Sequence, residues 1–435
     1  MALGRLPDLA TSGVHVASEV REARGIDLDY AVLRFEVTAG IGSAADKPPP
    51  IRAYGASERG RSLGRASAAY VILLALAVVD SAGYSIIGPV LPALARSTRA
   101  SPVVAGVIVA SFPIGMLAGF AASGSCVRRF GTRTTLLAAL AVVAGSTVGF
   151  IESGSIPAYL ATRALMGFGS GGLWLGIVFS TLERWPGEEY LCMSRIFAAY
   201  SVGALVGPGL GAIGGIRRPF ISYFALVVFG AVLSALLPVA PGRRSFRTDR
   251  SELRRLGFWV AAIAITVAIL GTGLVDGVLP LHFSTLLSQS EIGGAYVGLA
   301  VVLGCGSVAA ARLSPERATA IGIALLIIGI EMAGATNIVA TWLVGLAILG
   351  AGIGIGQTGA TGLLLQAVPS ERIISAMVVW SQMAMIGYLI APIAGGALGQ
   401  SIGYGSLGIL PAAMVAILTC AVYARKQGVK RSQAA

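Results

Sequence analysis

The charges of this chain are crowded into short breaks between long apolar runs, and that one feature excludes most folds. A run such as YVILLALAVV, Tyr70–Val79, carries no charge and no period-two alternation. A helix crossing the ~30 Å hydrocarbon core of a bilayer needs roughly 20 mainly apolar residues at ~1.5 Å per residue. Twelve such segments are predicted, near 67–94, 102–122, 134–151, 156–182, 191–216, 220–240, 257–283, 293–311, 318–335, 337–367, 373–400 and 404–424. Transmembrane strands would alternate apolar and polar residues over about ten positions, and these runs do not. Only 12% of the 435 residues are charged, about half the share in a soluble protein. The expected fold class is an all-α integral membrane protein with twelve transmembrane helices in two six-helix pseudo-repeats.

The basic residues then set the topology. With the start of the first span placed in the cytoplasm, inner flanks carry Arg59, Arg61, Arg65, Arg128, Arg129, Arg133, Arg184, Arg195, Arg312, Arg317 and Arg372. The 240–256 loop adds six arginines, and the tail adds Arg425, Lys426, Lys430 and Arg431. Outer loops hold only Arg96, Arg99, Arg217 and Arg218. The positive-inside rule therefore places both termini in the cytoplasm of a multi-pass protein of the cell (plasma or inner) membrane. The net charge of +12 reflects this sorting, so no nucleic-acid partner is expected. Cys126, Cys192, Cys305 and Cys420 are scattered singly and read as packing residues, and two histidines, His15 and His282, are too few for a metal site.

Residues 1–65 are different material, with nine Lys/Arg, eight Asp/Glu and a KPPP stretch. They contain no signal-peptide apolar region and too little apolar surface for a core. Two explanations stand: a disordered cytoplasmic tail, or sequence upstream of the true start. A basic loop at 241–256 separates a six-helix half at 66–240 from another at 257–424, followed by a cytoplasmic tail at 425–435. GPVLP at 88–92 recurs as DGVLP at 276–280, each near the end of the first span of its half. Parallel repeats of this kind are a transporter architecture, with the substrate site between the halves.

Glycine, 59 residues, clusters inside the spans, as in GFGSGGLWLG (167–176), GALVGPGLGAIGG (203–215) and GAGIGIGQTGATG (350–362). Small residues let membrane helices approach closely, so tight packing accounts for most of them. Prolines 89, 92, 208, 280 and 392 interrupt the helical ladder and allow bends.

Three of these stretches resemble motifs of the major facilitator superfamily, in its twelve-helix drug/proton antiporter branch, over about residues 66–425. GSCVRRFGTR resembles the G-x-x-x-D-R-x-G-R-R/K loop through Gly124, Arg129, Gly131 and Arg133, with Arg128 where that family has Asp. RALMGFG resembles R-x-x-x-G-x-G through Arg163, Gly167 and Gly169. GALVGPGLGA resembles the antiporter motif G-x-x-x-G-P-x-x-G-G through Gly203, Gly207, Pro208 and Gly211, with Ala212 in place of its final glycine. The resemblance implies alternating access, a gating loop at 124–133, a helix-5 hinge and seal, and a proton-coupling role for Arg163.

Four charges lie well inside the predicted spans: Asp80, Arg163, Asp276 and Glu331. Asp80 is ~21 Å in from the cytoplasmic entry of the first span and Arg163 ~10 Å in from the opposite face, which gives the two a common depth in a ~30 Å core. They are expected to pair beside the cavity, either as a static ion pair pinning two helices or as a proton-coupling pair. Asp276, ~29 Å along its helix, is an outer-gate candidate or a snorkelling interface charge. Glu331 falls on a helix that the resembling fold places at the periphery. Cavity candidates are Tyr84, Trp174, Phe179, Gln357, Trp380, Gln382, Met383 and Tyr388; each taken singly is equally explained by packing.

No Walker A loop, GxSxG elbow or HExxH helix occurs, so no enzyme is expected. The expected function is proton-coupled efflux of a small organic compound or drug by antiport, in a monomer whose partners are that substrate, protons and the lipid bilayer. No cofactor is needed beyond the proton as coupling ion. Import or proton symport of a small metabolite on the same fold is the alternative, and a membrane-embedded enzyme or a non-transporting sensor is the remote one.

Overall fold

The computed structural model describes residues 56–185, 189–238, 256–368, 373–417 and 419. Of the expected tail at 1–65, residues 1–55 lie outside the described residues, as do nearly all of the basic loop and the C-terminal tail, while residues 56–65 are helical. Among the described residues, helices follow one another from α1 (Ala56–Ser85), α2 (Ile87–Thr98), α3 (Pro102–Phe130), α4 (Thr132–Glu152), α5 (Ile156–Arg184), α6 (Glu189–Gly211), α7 (Arg217–Leu236), α8 (Leu256–Gly277), α9 (Leu279–Phe283), α10 (Gln289–Ala310), α11 (Pro315–Ala335) and α12 (Val339–Ala367) to α13 (Ile373–Ser401). A shorter apolar helix covers Tyr404–Ile417. Ten spans among the described residues are long and apolar enough to cross a membrane, α1–α2 and α8–α9 each forming one. α6 and the last helix occupy the expected fifth and twelfth positions. The fold is all-α, as the apolar runs require.

Several helix starts are written locally. Ser101 and Ser314 cap α3 and α11, each followed by proline at the first position, where a missing N–H removes nothing. Ser288 and Glu291 form a capping box at the start of α10. Between α3 and α4 the chain reverses at Gly131, whose φ of 82° is open to glycine and strained for other residues.

The expected repeat is visible as a break in the first span of each half. α1 stops at Ser85 and α2 resumes at Ile87; α8 stops at Gly277 and α9 resumes at Leu279. Pro89, Pro92 and Pro280 have no N–H to return to the preceding turn, which is why the ladder parts there.

Because successive spans alternate in direction, the connections at 131 and 311–314 lie at one end of the bundle, here the basic end. Those at 99–101, 153–155, 212–216 and 284–288 lie at the far end. In the first half α3 packs on α5, α5 on α4 and α4 on α7; in the second α11 packs on α12, and α12 on α8 and α10. Two large seams cross between halves, α3 against α13 and α6 against α10. The glycine runs also line contacts within each half. A Cβ on Gly167 would run into the Phe112 carbonyl, one on Gly171 would lie 2.5 Å from Met116 O, and one on Gly350 2.7 Å from Leu299 O. Without side chains at these points the backbones close to direct contact.

Candidate functional site

The break between α1 and α2 exposes carbonyls that a continuous helix would bond internally, and a guanidinium takes them. Arg163, on the face of α5 turned toward α1, is fully buried. Its Nη1 donates to Gly83 O at 3.0 Å and its Nη2 to Tyr84 O at 3.1 Å. The Phe112 ring lies 4.4 Å from its Cζ, and Met166 Sδ is 3.2 Å from Nη1. The Nε has no partner.

Asp80 is held one turn nearer the basic end. It is 2% exposed. Its Oδ1 accepts from Ser170 Oγ at 2.6 Å, and its Oδ2 accepts from the Tyr200 hydroxyl. Ser170 lies two turns beyond Arg163 on the same face of α5, so α5 meets α1 through both residues in antiparallel register. The expected Asp80–Arg163 ion pair is therefore not formed; each group has its own partners. The reason lies in helix length. The first span runs 31 residues and α5 runs 29, against roughly 20 needed. Their ends overshoot the core, and depths counted from the ends miss by a turn or more.

Asp276 does not snorkel. It is 3% exposed at the frayed end of α8, where its Oδ2 accepts from the Tyr388 hydroxyl at 2.9 Å. A Cβ on Gly88 would lie 3.2 Å from its Oδ1. Tyr388 stacks on Tyr84, ring centroids 4.4 Å apart, and Tyr84 sets its edge to Phe112 at 5.7 Å. A chain of contacts thus runs Arg163–Phe112–Tyr84–Tyr388–Asp276 and joins the two halves. Two tyrosines singled out from sequence meet face to face in it.

The other sequence candidates fall elsewhere. Trp174 packs edge-on to Tyr200 at 5.0 Å and against Phe197 at 5.5 Å, buttressing the group that holds Asp80. Trp380 is buried with its Nε1 unpartnered. Phe179 is buried, whereas Gln357, Gln382 and Met383 are half-buried and outside the polar cluster. Glu331 is half-buried, its Oε1 against Gly408 in the last helix. The loop-motif residues lie at the basic end: Arg128 donates to Ser125 Oγ at 3.1 Å, Arg129 lies over the Phe130 ring at 5.3 Å, and Arg133 donates to the Ala235 carbonyl at the end of α7. A Cβ on Gly124 would meet only the Arg128 guanidinium, at 3.7 Å, and one on Gly169 would press Val143 and Ala139 of α4.

The glycines of α6 form a register with α1 and α2. A Cβ on Gly203 would lie 2.5 Å from Val78 O, one on Gly207 2.6 Å from Ala82 O, and one on Gly211 3.0 Å from Ile86 O. Both helices advance by four residues, a parallel seam of small residues ending at the break. Pro208 sits inside α6, and its carbonyl, with Ala212, faces Gly293 of α10.

The sequence model of the Major Facilitator Superfamily matches residues 73–329, more than half of the chain. The chain belongs to the Major Facilitator Superfamily. Solved structures of this fold agree: a D-xylose–proton symporter superposes with a TM-score of 0.65 at 17% identity, covering 80% of this chain and 96% of that one. A bacterial homolog of the human lysosomal transporter Spinster, inward-facing and unoccupied, gives 0.64 at 13% identity, covering 78% and 83%. Among curated proteins, Multidrug resistance protein 2 of Bacillus subtilis (strain 168) is 26% identical over 185 residues, 41% of this chain and 45% of that protein. Putative multidrug resistance protein MdtD of Shigella boydii serotype 4 (strain Sb227) is 25% identical over 207 residues, 45% and 43%. The matched stretch spans less than half the length of these relatives.

Sequence reasoning missed Ser170, Tyr200 and Phe112. Ser170 was legible as the residue seven after Arg163, hence on its face. Phe112 and Tyr200 carry no signal that separates them from ordinary core aromatics.

Proposed function

We propose that this superfamily member is a proton-coupled secondary transporter that exports a small organic compound or drug by antiport. The observation that carries the proposal is Asp80: a carboxyl buried in the first span, hydrogen-bonded by two neutral hydroxyls and by no cation. Such a group can gain or lose a proton without breaking an ion pair, while its desolvation makes proton occupancy sensitive to any change in water access. Its partner Tyr200 stands on α6, three residues before the seam that begins at Gly203. Proton occupancy at Asp80 is therefore positioned to bear on how α6 lies against α1. The half-matching relatives named for multidrug resistance, and the α6 glycines that resemble the antiporter motif, favour export of an organic compound. The basic end is taken as cytoplasmic, in a cell membrane, by its arginines.

The test is transport in proteoliposomes with an imposed pH gradient and a panel of lipophilic drugs. Gradient-driven drug movement opposite to the protons is expected for the native chain, and Asp80→Asn should abolish the gradient dependence while drug exchange persists. Gradient-driven transport intact in Asp80→Asn removes Asp80 from coupling, and co-movement of drug and protons makes the protein a symporter.

A further inference from the structure

The crossing seam between α6 and α10 is closed at one end only. Toward the far end a Cβ on Gly293 would lie 2.5 Å from the Cβ of Ala212, and one on Gly209 would touch Val297 at 4.0 Å. Toward the basic end the helices part and leave a crevice of about 540 Å³. Val202 and Leu205 stand on its α6 wall, Val301, Cys305 and Val308 on its α10 wall, and Arg312 at its mouth. Val202, Val301 and Val308 are about half exposed or more, at 54%, 49% and 73%. Gly304 also lines it, and a Cβ there would meet nothing within 4 Å.

Depth and charge together identify what fits. Eleven residues separate Val301 from Arg312, ~16 Å of helix, which is half the ~30 Å hydrocarbon core. The crevice therefore opens at headgroup level and closes near the bilayer midplane, the depth of one leaflet. Its walls are apolar along that depth, and its cation stands at the level of a phosphate. Arg195 is exposed on α6, on the same face as Val202 and two turns nearer the basic end. The register that sets Gly209 beside Val297 brings it level with Arg312.

We propose that this crevice binds an anionic glycerophospholipid from the leaflet at the basic end. One acyl chain lies between α6 and α10, and the phosphate sits on Arg312 with Arg195 beside it. Basic pockets between transmembrane helices recognise headgroups in this way. Because α6 belongs to one half and α10 to the other, the acyl chain acts as a wedge that holds the basic end of the seam open.

The experiment uses the full chain in phosphatidylcholine vesicles containing a minor fraction of phosphatidylglycerol with a diazirine near its acyl terminus. Photolysis and peptide mass spectrometry should place adducts on Ser201–Leu205 and Val301–Val308. Gly304→Phe, which fills the open space, should remove those adducts. Arg312→Gln, at an exposed position that leaves the core untouched, should lower the preference for phosphatidylglycerol over a matching phosphatidylcholine probe roughly fivefold, the weight of one basic residue at an anionic surface. Adducts spread evenly over all lipid-facing helices, or yields unchanged in both variants, would overturn the proposal. Ready Cys305–Cys305 cross-linking between copies would also overturn it and assign the face to a second chain.

Discussion

Arg163 acts in this structure as a clamp on broken backbone, not as a counter-ion, and that difference is measurable. Lysine at 163 supplies one point charge and can reach only one of the two carbonyls that Arg163 holds at 3.0 and 3.1 Å. The lost charge-assisted bond amounts to ~1.5–3 kcal/mol, and weaker contact with the Phe112 face adds ~0.5–1 kcal/mol. Arg163→Lys is therefore expected to destabilise the folded protein by about 2–4 kcal/mol. Arg163→Met leaves both carbonyls of Gly83 and Tyr84 buried without a donor, at ~1–3 kcal/mol each, and should fall further. Unfolding of the detergent-purified chain, followed by heat or denaturant, reads these values. The decisive arm is a pair of double-mutant cycles. Asp80→Asn and Arg163→Met share no hydrogen-bond partner and should add within ~0.5 kcal/mol, whereas Asp80→Asn and Tyr200→Phe, which touch, should couple by ~0.5–3 kcal/mol. If Asp80→Asn instead rescues Arg163→Met by 2 kcal/mol or more, the two form an ion pair and the clamp is wrong.

Three further outcomes follow from the geometry. Gly207→Val drives side-chain atoms into Ser85 and the Ala82 carbonyl and should lower stability by at least ~1–3 kcal/mol, while Gly209→Ala on the same helix, with only Val297 nearby, should be close to neutral in thermal unfolding. Tyr388→Phe removes the hydroxyl that donates to Asp276 and should destabilise by ~1–3 kcal/mol; retention of full stability would show that Asp276 does not depend on that bond. Cys305, exposed beside the crevice, should react with a membrane-permeant maleimide far faster than buried Cys192, as peptide mapping after brief labelling would show.

The spans and the break at GPVLP and DGVLP were legible because each rests on a strong local rule: charge is excluded from hydrocarbon, and proline cannot donate. The glycine runs were legible as close-packing faces for the same reason. The partners of Asp80 and Arg163 were not. They depend on the axial register between α1 and α5, which no local rule fixes when both helices outrun the core. For Asp276 the same counting left a gate residue and a snorkelling charge open; burial and the bond from Tyr388 exclude the second. Tyr84 and Tyr388 were picked for their chemistry, but stacking between them is a property of the two halves together and appears in neither segment alone.

The placement of Tyr200 links the buried carboxyl to the seam. α6 is pinned to α1 at this residue twice: its hydroxyl donates to Asp80, and its backbone carbonyl accepts from Ser81 Oγ at 2.6 Å. Three residues later Gly203 begins the run of small residues that carries α6 along α1 to the break, and Pro208 and Ala212 at its end meet Gly293 of the second half. A carboxylate accepts from both Ser170 and Tyr200; a protonated carboxyl keeps one strong acceptor oxygen and makes the other a donor and weaker acceptor, so one of the two bonds weakens. The bond to Ser170 stays within α1 and α5, but the bond to Tyr200 reaches α6, which touches both α1 and α10. If loading Asp80 is to loosen one half against the other, that helix is the route the structure provides. Tyr200→Phe should then leave drug binding intact while weakening the dependence of transport on the pH gradient, as Ser170→Ala should not. Equal gradient dependence in the two variants would cut Asp80 off from the seam.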